Sequence, residues 1–192
     1  WKRVNAVVPG LFQGQSWLGA DLTSAEFAKN RRDVVSQCID RGINYIDACT
    51  KQEVIMYAKA LEGRRDKMYL GFSWYQEEMR SLSSEMAKAE KAGEPKPPGW
   101  ITRMLKQAMD NGFKETGLDY VDVWRITCYE QSSQHTDRQM EEMIEALAWA
   151  KKTGRARFTG ISSHDRPHIK KWIQAAPKEL EVIVTPYTAK TK

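Results

Sequence analysis

The sequence predicts an α/β fold built on a parallel sheet, and three observations carry that prediction. Short apolar runs alternate with stretches of helical periodicity. A whole helix, rather than a tight hairpin turn, separates one run from the next, which is the spacing of right-handed β-helix-β crossovers. Gly42, Gly63 and Gly154 stop helical stretches just before the next apolar run begins.

The elements follow in order. Val7 to Gln13 is a first apolar run, ending in turn residues Gly14 and Gly19. Thr23 and Glu26 are spaced as a capping box and open a helix with Phe27, Val34, Val35, Cys38 and Ile39 on its inner side. Ile43 to Asp47 is the second strand, followed by a helix with Val54, Ala58 and Leu61 inward. Met68 to Phe72 is the third strand. The stretch 75–100 then breaks the rhythm. Its first part is rich in Glu, Lys, Ala and Met and is compatible with a polar helix, but Pro95, Pro97 and Pro98 forbid one at its end. It is expected to be a long inserted loop over the strand ends, a lid or contact surface. Ile101, Met104, Leu105, Ala108 and Gly112 form a helical stripe of core packing. Tyr120 to Ile126 is the fourth strand, and Thr136 with Gln139 is a second capping box before a helix carrying Met140, Met143, Ile144 and Leu147. Arg157 to Ile161 is the fifth strand. A helix around Ile169, Trp172 and Ile173 leads to the sixth, Val182 to Thr185. Six strands and five helices are expected in one domain, 1–192.

Bulk composition fits a water-soluble globular chain of 192 residues, with 41% hydrophobic and 29% charged residues. No apolar run approaches the length of a membrane span, and a cytoplasmic location is expected. The first residue is Trp1 rather than Met, which a removed targeting segment would explain as well as a trimmed chain would. The net charge of +5 comes from 30 basic and 25 acidic residues, and the basic ones do not form a block. Arg41, Arg64, Arg65, Lys151 and Lys152 fall at predicted helix ends, where cations favour the negative end of the dipole. That dispersal argues against nucleic-acid binding. Cys38, Cys49 and Cys128 have no metal-ligand spacing, and so sparse a set gives no disulfide framework.

Asp47 is the first candidate functional residue. A carboxylate at the end of a buried strand is hard to explain by packing, and in α/β folds the strand ends open onto the site. The alternative is that Asp47 caps the following helix.

Several stretches in this order resemble the aldo-keto reductase family. Arg41 to Ala48 is similar to its "GINxxDTA" segment, Lys59 to Lys67 to its "KALxGxRDK" stretch, Leu118 to Val123 to its "LGxDYIDLY" segment, and Gly154 to Ser162 to its "GKxRxIGxS". The resemblance implies the (β/α)₈ TIM barrel, of which this chain would hold about six of eight βα units. It also implies NADP(H)-dependent carbonyl chemistry by an Asp, a Tyr, a Lys and a His. Only Asp47 matches that set: Ser73 falls at the Lys position and Thr127 at the His position, and the turn carrying the Tyr is shortened. Tyr57 is nearby but inside the predicted helix. For the cofactor, Ser162 and Ser163 fall at the positions that hold the nicotinamide carboxamide, and Tyr187 at the aromatic on which its ring stacks.

Two further constellations follow from the barrel arrangement. Cys49 or Cys128 with His164 as base would make a thiol site, against the reading that small residues fill a vacated pocket. His164 and His168 share the spacing of a metal pair, but Pro167 suggests that Asp165 or His164 caps a helix, and a third ligand is not evident. The expectation is a divergent reductase-like barrel that has lost standard carbonyl reduction and acts as a binding or scaffold subunit. A protein partner or further chain would complete it. The alternative is an active NAD(P)H-dependent oxidoreductase of that family, with a substitute proton donor and with its C-terminal cofactor-binding strands missing from this sequence.

Overall fold

A computed structural model describes residues 7–8, 24–74, 77–129 and 131–186. Six strands, β1 (Val7–Val8), β2 (Tyr45–Asp47), β3 (Tyr69–Phe72), β4 (Val121–Thr127), β5 (Ala156–Ser162) and β6 (Val182–Val184), form one sheet in sequence order, with every pair parallel. Sequence order without a reversal is the connectivity of a barrel wall; a doubly wound sheet would switch direction part-way. The sheet curls as part of a (β/α)₈ barrel. Among the described residues it carries six helices, α1 (Ala25–Asp40), α2 (Lys51–Ala60), α3 (Met79–Lys91), α4 (Trp100–Thr116), α5 (Asp137–Lys152) and α6 (Arg166–Ala175).

Local signals explain most of these boundaries. The capping box of Thr136 and Gln139 opens α5 as its spacing predicts. The first helix starts one residue later than the sequence suggested: Ser24 accepts from the Phe27 amide, and Thr23 lies outside the described residues. Most of the first apolar run also lies outside them. Pro167 stands in the first turn of α6 and Asp165 accepts the His168 amide, so that acid is a cap. In α4, Gly112 lets the helix approach the sheet, because a Cβ there would sit 2.7 Å from the Phe72 ring.

The expected long loop at 75–100 is corrected. Its Pro-rich end is irregular, but α3 makes a sixth helix within it. Met79, Leu82 and Met86, at i, i+3 and i+7, turn one apolar stripe into the core, and this packing sustains a helix whose other faces are polar. Phe72, Trp74, Trp124, Leu105, Met109, Met143 and Leu147 form the adjoining core between the sheet and its helices. Among the described residues, no helix is long and apolar enough to cross a membrane.

Candidate functional site

The parallel register brings Asp47, Ser73, Thr127 and Ser162 to the C-terminal end of the sheet. Asp47 pairs with Gly71, two residues before Ser73, and Thr127 pairs with Ser162. Asp47 does not cap the next helix. Thr50 does, in a capping box with Glu53.

Asp47 instead faces a cation that the sequence reading missed. Arg125 Nε lies 2.7 Å from Asp47 Oδ1, and the guanidinium is 2% exposed. Its Nη2 lies 2.7 Å from Cys49 Sγ, and the Tyr45 hydroxyl donates to Asp47 Oδ1 at 3.3 Å. Gly71 makes room for that phenol, since a Cβ there would lie 2.6 Å from the Tyr45 oxygen. Burial alone would weaken the Arg125 charge, yet Asp47 beside it raises its pKa and keeps it a cation. The signal was present in the sequence: Arg125 is a lone charge inside the apolar run Val123 to Ile126, the same anomaly that marked Asp47.

Ser73 and Thr127, where the resemblance leads one to expect Lys and His, lie together, and a second missed residue occupies the space beside them. Glu78, 0% exposed, is the N-cap residue of α3, but its side chain makes no capping bond. Its carboxylate turns into the strand ends. Oε1 accepts from the Trp74 amide at 2.6 Å and the Trp124 indole N–H at 3.3 Å; Oε2 accepts from Ser73 Oγ at 2.7 Å and the Thr127 amide at 3.0 Å. Ser73 Oγ and Thr127 Oγ1 are 3.1 Å apart. Burial pushes the Glu78 carboxyl up, and four donors work to hold it as an anion.

Tyr45, Cys49 and Cys128 are poorly matched to acid–base chemistry at neutral pH. Burial, then Asp47, pushes the Tyr45 phenol well above its ordinary range. Burial also raises Cys49 to about 11 and Cys128 to about 12, so both are held as thiols. Cys49 touches Arg125 and Asp47, and His164 is exposed. Glu53 is raised to about 7 by burial, but its Oε2 accepts the Cys49 and Thr50 amides at the head of α2. Tyr57 is fully buried on α2, in the core. Among the described residues no group of three His, Cys, Asp or Glu is placed to hold a metal ion.

Of the residues that the resemblance assigns to the cofactor, Ser162 is half-buried at the end of β5. Ser163 is 2% exposed; its Oγ lies 2.6 Å from Ser132 Oγ and accepts the Asp165 amide at 3.1 Å. Tyr187 lies outside the described residues.

Residues 14–188 match the sequence pattern of the Aldo/keto reductase family. The chain belongs to that family. Among curated proteins, L-glyceraldehyde 3-phosphate reductase of Escherichia coli (strain K12) is 28% identical over 103 residues, covering 51% of this chain and 28% of that protein. Solved aldo-keto reductases share its fold. One from Bacillus halodurans, in its holo form, superposes with a TM-score of 0.62 at 22% identity, over 83% of this chain and 49% of that one. One from Brucella melitensis gives 0.58 at 18% identity, over 82% and 53%. One from Klebsiella pneumoniae in complex with NADPH gives 0.57 at 16% identity, over 82% and 47%. This aldo/keto reductase chain therefore spans about half the length of those structures, and 28% of the curated relative.

Proposed function

We propose that this aldo/keto reductase chain has lost standard NADPH-dependent carbonyl reduction and acts as a binding or scaffold subunit. The observation that carries this reading is the filled rim: Ser73 and Thr127 are bonded to one another and to the buried carboxylate of Glu78. A carbonyl substrate needs a proton donor within hydrogen-bond reach and space beside it. Here that space holds a carboxylate, and the Asp47 charge is spent on a buried guanidinium.

The cofactor positions support the same reading. A nicotinamide carries the hydride in the family's chemistry. Ser162 is half-buried, whereas the Ser163 hydroxyl is already engaged by Ser132 Oγ and the Asp165 amide, leaving one of its three hydrogen-bonding positions for a carboxamide. That engagement of Ser163 within the chain supports loss of the cofactor as the resemblance places it. Among the described residues β6 stands at the edge of the sheet, and its half-buried Val182, Ile183 and Val184 support docking of further chain or a protein partner there.

One observation favours a second reading, an active oxidoreductase with a substitute donor. Tyr45, Asp47 and Arg125 regroup a phenol, a carboxylate and a cation from different positions. The electrostatics oppose it, because burial and Asp47 make Tyr45 a weaker acid than a free phenol.

The test is to titrate NADPH by fluorescence and follow its oxidation with a panel of aldehydes and ketones. No carbonyl-dependent oxidation is expected. Turnover abolished by Tyr45→Phe would overturn the proposal in favour of the second reading.

A further inference from the structure

Glu78 is bound as a ligand is bound. Its four donors come from the end of β3 (Trp74 amide, Ser73 hydroxyl) and from β4 (Thr127 amide, Trp124 indole), and all four are uncharged. Two donors fall on each carboxylate oxygen, the arrangement that satisfies a planar anion. The carboxylate is not held by its own helix: Glu78 is the N-cap residue of α3, its carbonyl accepts the Ser81 and Leu82 amides, but its side chain makes no capping bond. Instead α3 is tethered independently, by Met79, Leu82 and Met86 in the core and by Ser83 Oγ, 2.8 Å from His135 Nδ1.

From these contacts we infer that the ends of β3 and β4 form a carboxylate-binding site, with Glu78 of the inserted segment as its internal occupant. The ligand class is a small monocarboxylate, because the donors enclose one planar anion and no charged side chain joins them. A free carboxylate enters when the Glu78 side chain is absent. This inference deepens the reading above, resting on its premise that the chain itself fills the rim.

The decisive variant is Glu78→Gly, which removes the occupant and leaves all four donors. Formate and acetate are the probes, with chloride at equal ionic strength as control. The thermal midpoint should fall in the variant and rise again with formate or acetate along a saturable curve. Millimolar affinity is the range open to ligands of so few atoms. The Trp124 indole N–H and Thr127 amide resonances should shift over the same concentrations, and in the unaltered protein they should not. Adding Ser73→Ala to the variant should weaken binding about tenfold, the worth of one hydrogen bond to an anion.

No saturable response to either acid, with both resonances unmoved, would overturn the inference. If Glu78→Gly does not fold in plain buffer, refolding reads the same site. Recovery in formate but not in chloride supports it, and equal failure in both refutes it. NADPH-dependent reduction of an aldehyde by the unaltered protein would refute the functional reading without touching the carboxylate result.

Discussion

Asp47→Ala and Arg125→Met remove the two ends of one ion pair, and the structure makes their costs unequal. The Arg125 side chain is 2% exposed and that of Asp47 is 18% exposed, at a separation of 2.7 Å. Removing Asp47 leaves a buried guanidinium beside Cys49 Sγ, which is no carboxylate, while the nearby Glu53 carboxyl is held by the amides at the head of α2; stranding a buried charge costs about 3–5 kcal/mol. Removing Arg125 leaves a carboxylate that reaches water and keeps the Tyr45 hydroxyl as donor, while methionine refills the space, for about 1–2 kcal/mol. In a domain of this size each kcal/mol moves the thermal midpoint by about 2–4 °C. The midpoint should therefore drop by about 10 °C or more in Asp47→Ala, and by only a few degrees in Arg125→Met. The double variant should be no worse than Asp47→Ala alone, giving a coupling of about 2 kcal/mol. Urea unfolding followed by circular dichroism at neutral pH measures all four corners of the cycle. A larger loss for Arg125→Met, or an additive double variant, would refute the assignment of Arg125 as a buried cation dependent on Asp47.

Two other perturbations test the frame around the site. Burial lowers His135 to about 4 from an ordinary 6.5, and the Tyr129 amide donates to its Nε2 at 3.0 Å, which requires a neutral ring. Its contribution to stability is complete above about pH 6.5 and is lost as the pH falls towards 4, by up to about 3 kcal/mol. Glu53, raised to about 7 by burial, contributes the opposite slope, so the readout is the difference between wild type and His135→Gln. That difference should shrink between pH 7 and pH 4.5, and parallel stability curves would contradict it. At β5, a Cβ on Gly160 would lie 1.8 Å from the Val182 carbonyl oxygen. Gly160→Ala should cost about 2–3 kcal/mol and speed hydrogen exchange at Val182 to Val184, because the neighbour that must yield is backbone. Unchanged exchange there would disprove the close approach of β5 and β6.

How far the sequence reached depended on how far apart the interacting residues lie. The helices before Gly42 and Gly154, the cap at Thr136 and the parallel order of strands all follow from neighbours a few positions apart. These were legible as periodicity and spacing. The family resemblance supplied the barrel, and with it the meaning of Asp47, Ser73 and Thr127 at one end of the sheet. Helix α3 was legible only in part, because its stripe of Met79, Leu82 and Met86 is diluted by the Lys and Glu that surround it.

The sequence by itself determined that this is a parallel α/β chain of the aldo-keto reductase kind, with an acid at a strand end and without the residues expected around it. Tertiary structure alone decided what stands in their place. The pairing of Asp47 with Arg125 spans 78 positions, and that of Glu78 with Thr127 spans 49. No local periodicity encodes such contacts, since they exist only once the parallel register sets β2, β3 and β4 side by side. Burial then fixes their chemistry: the same low-dielectric surroundings that make an unpaired charge costly compel Arg125 to hold Asp47 and gather four donors around Glu78.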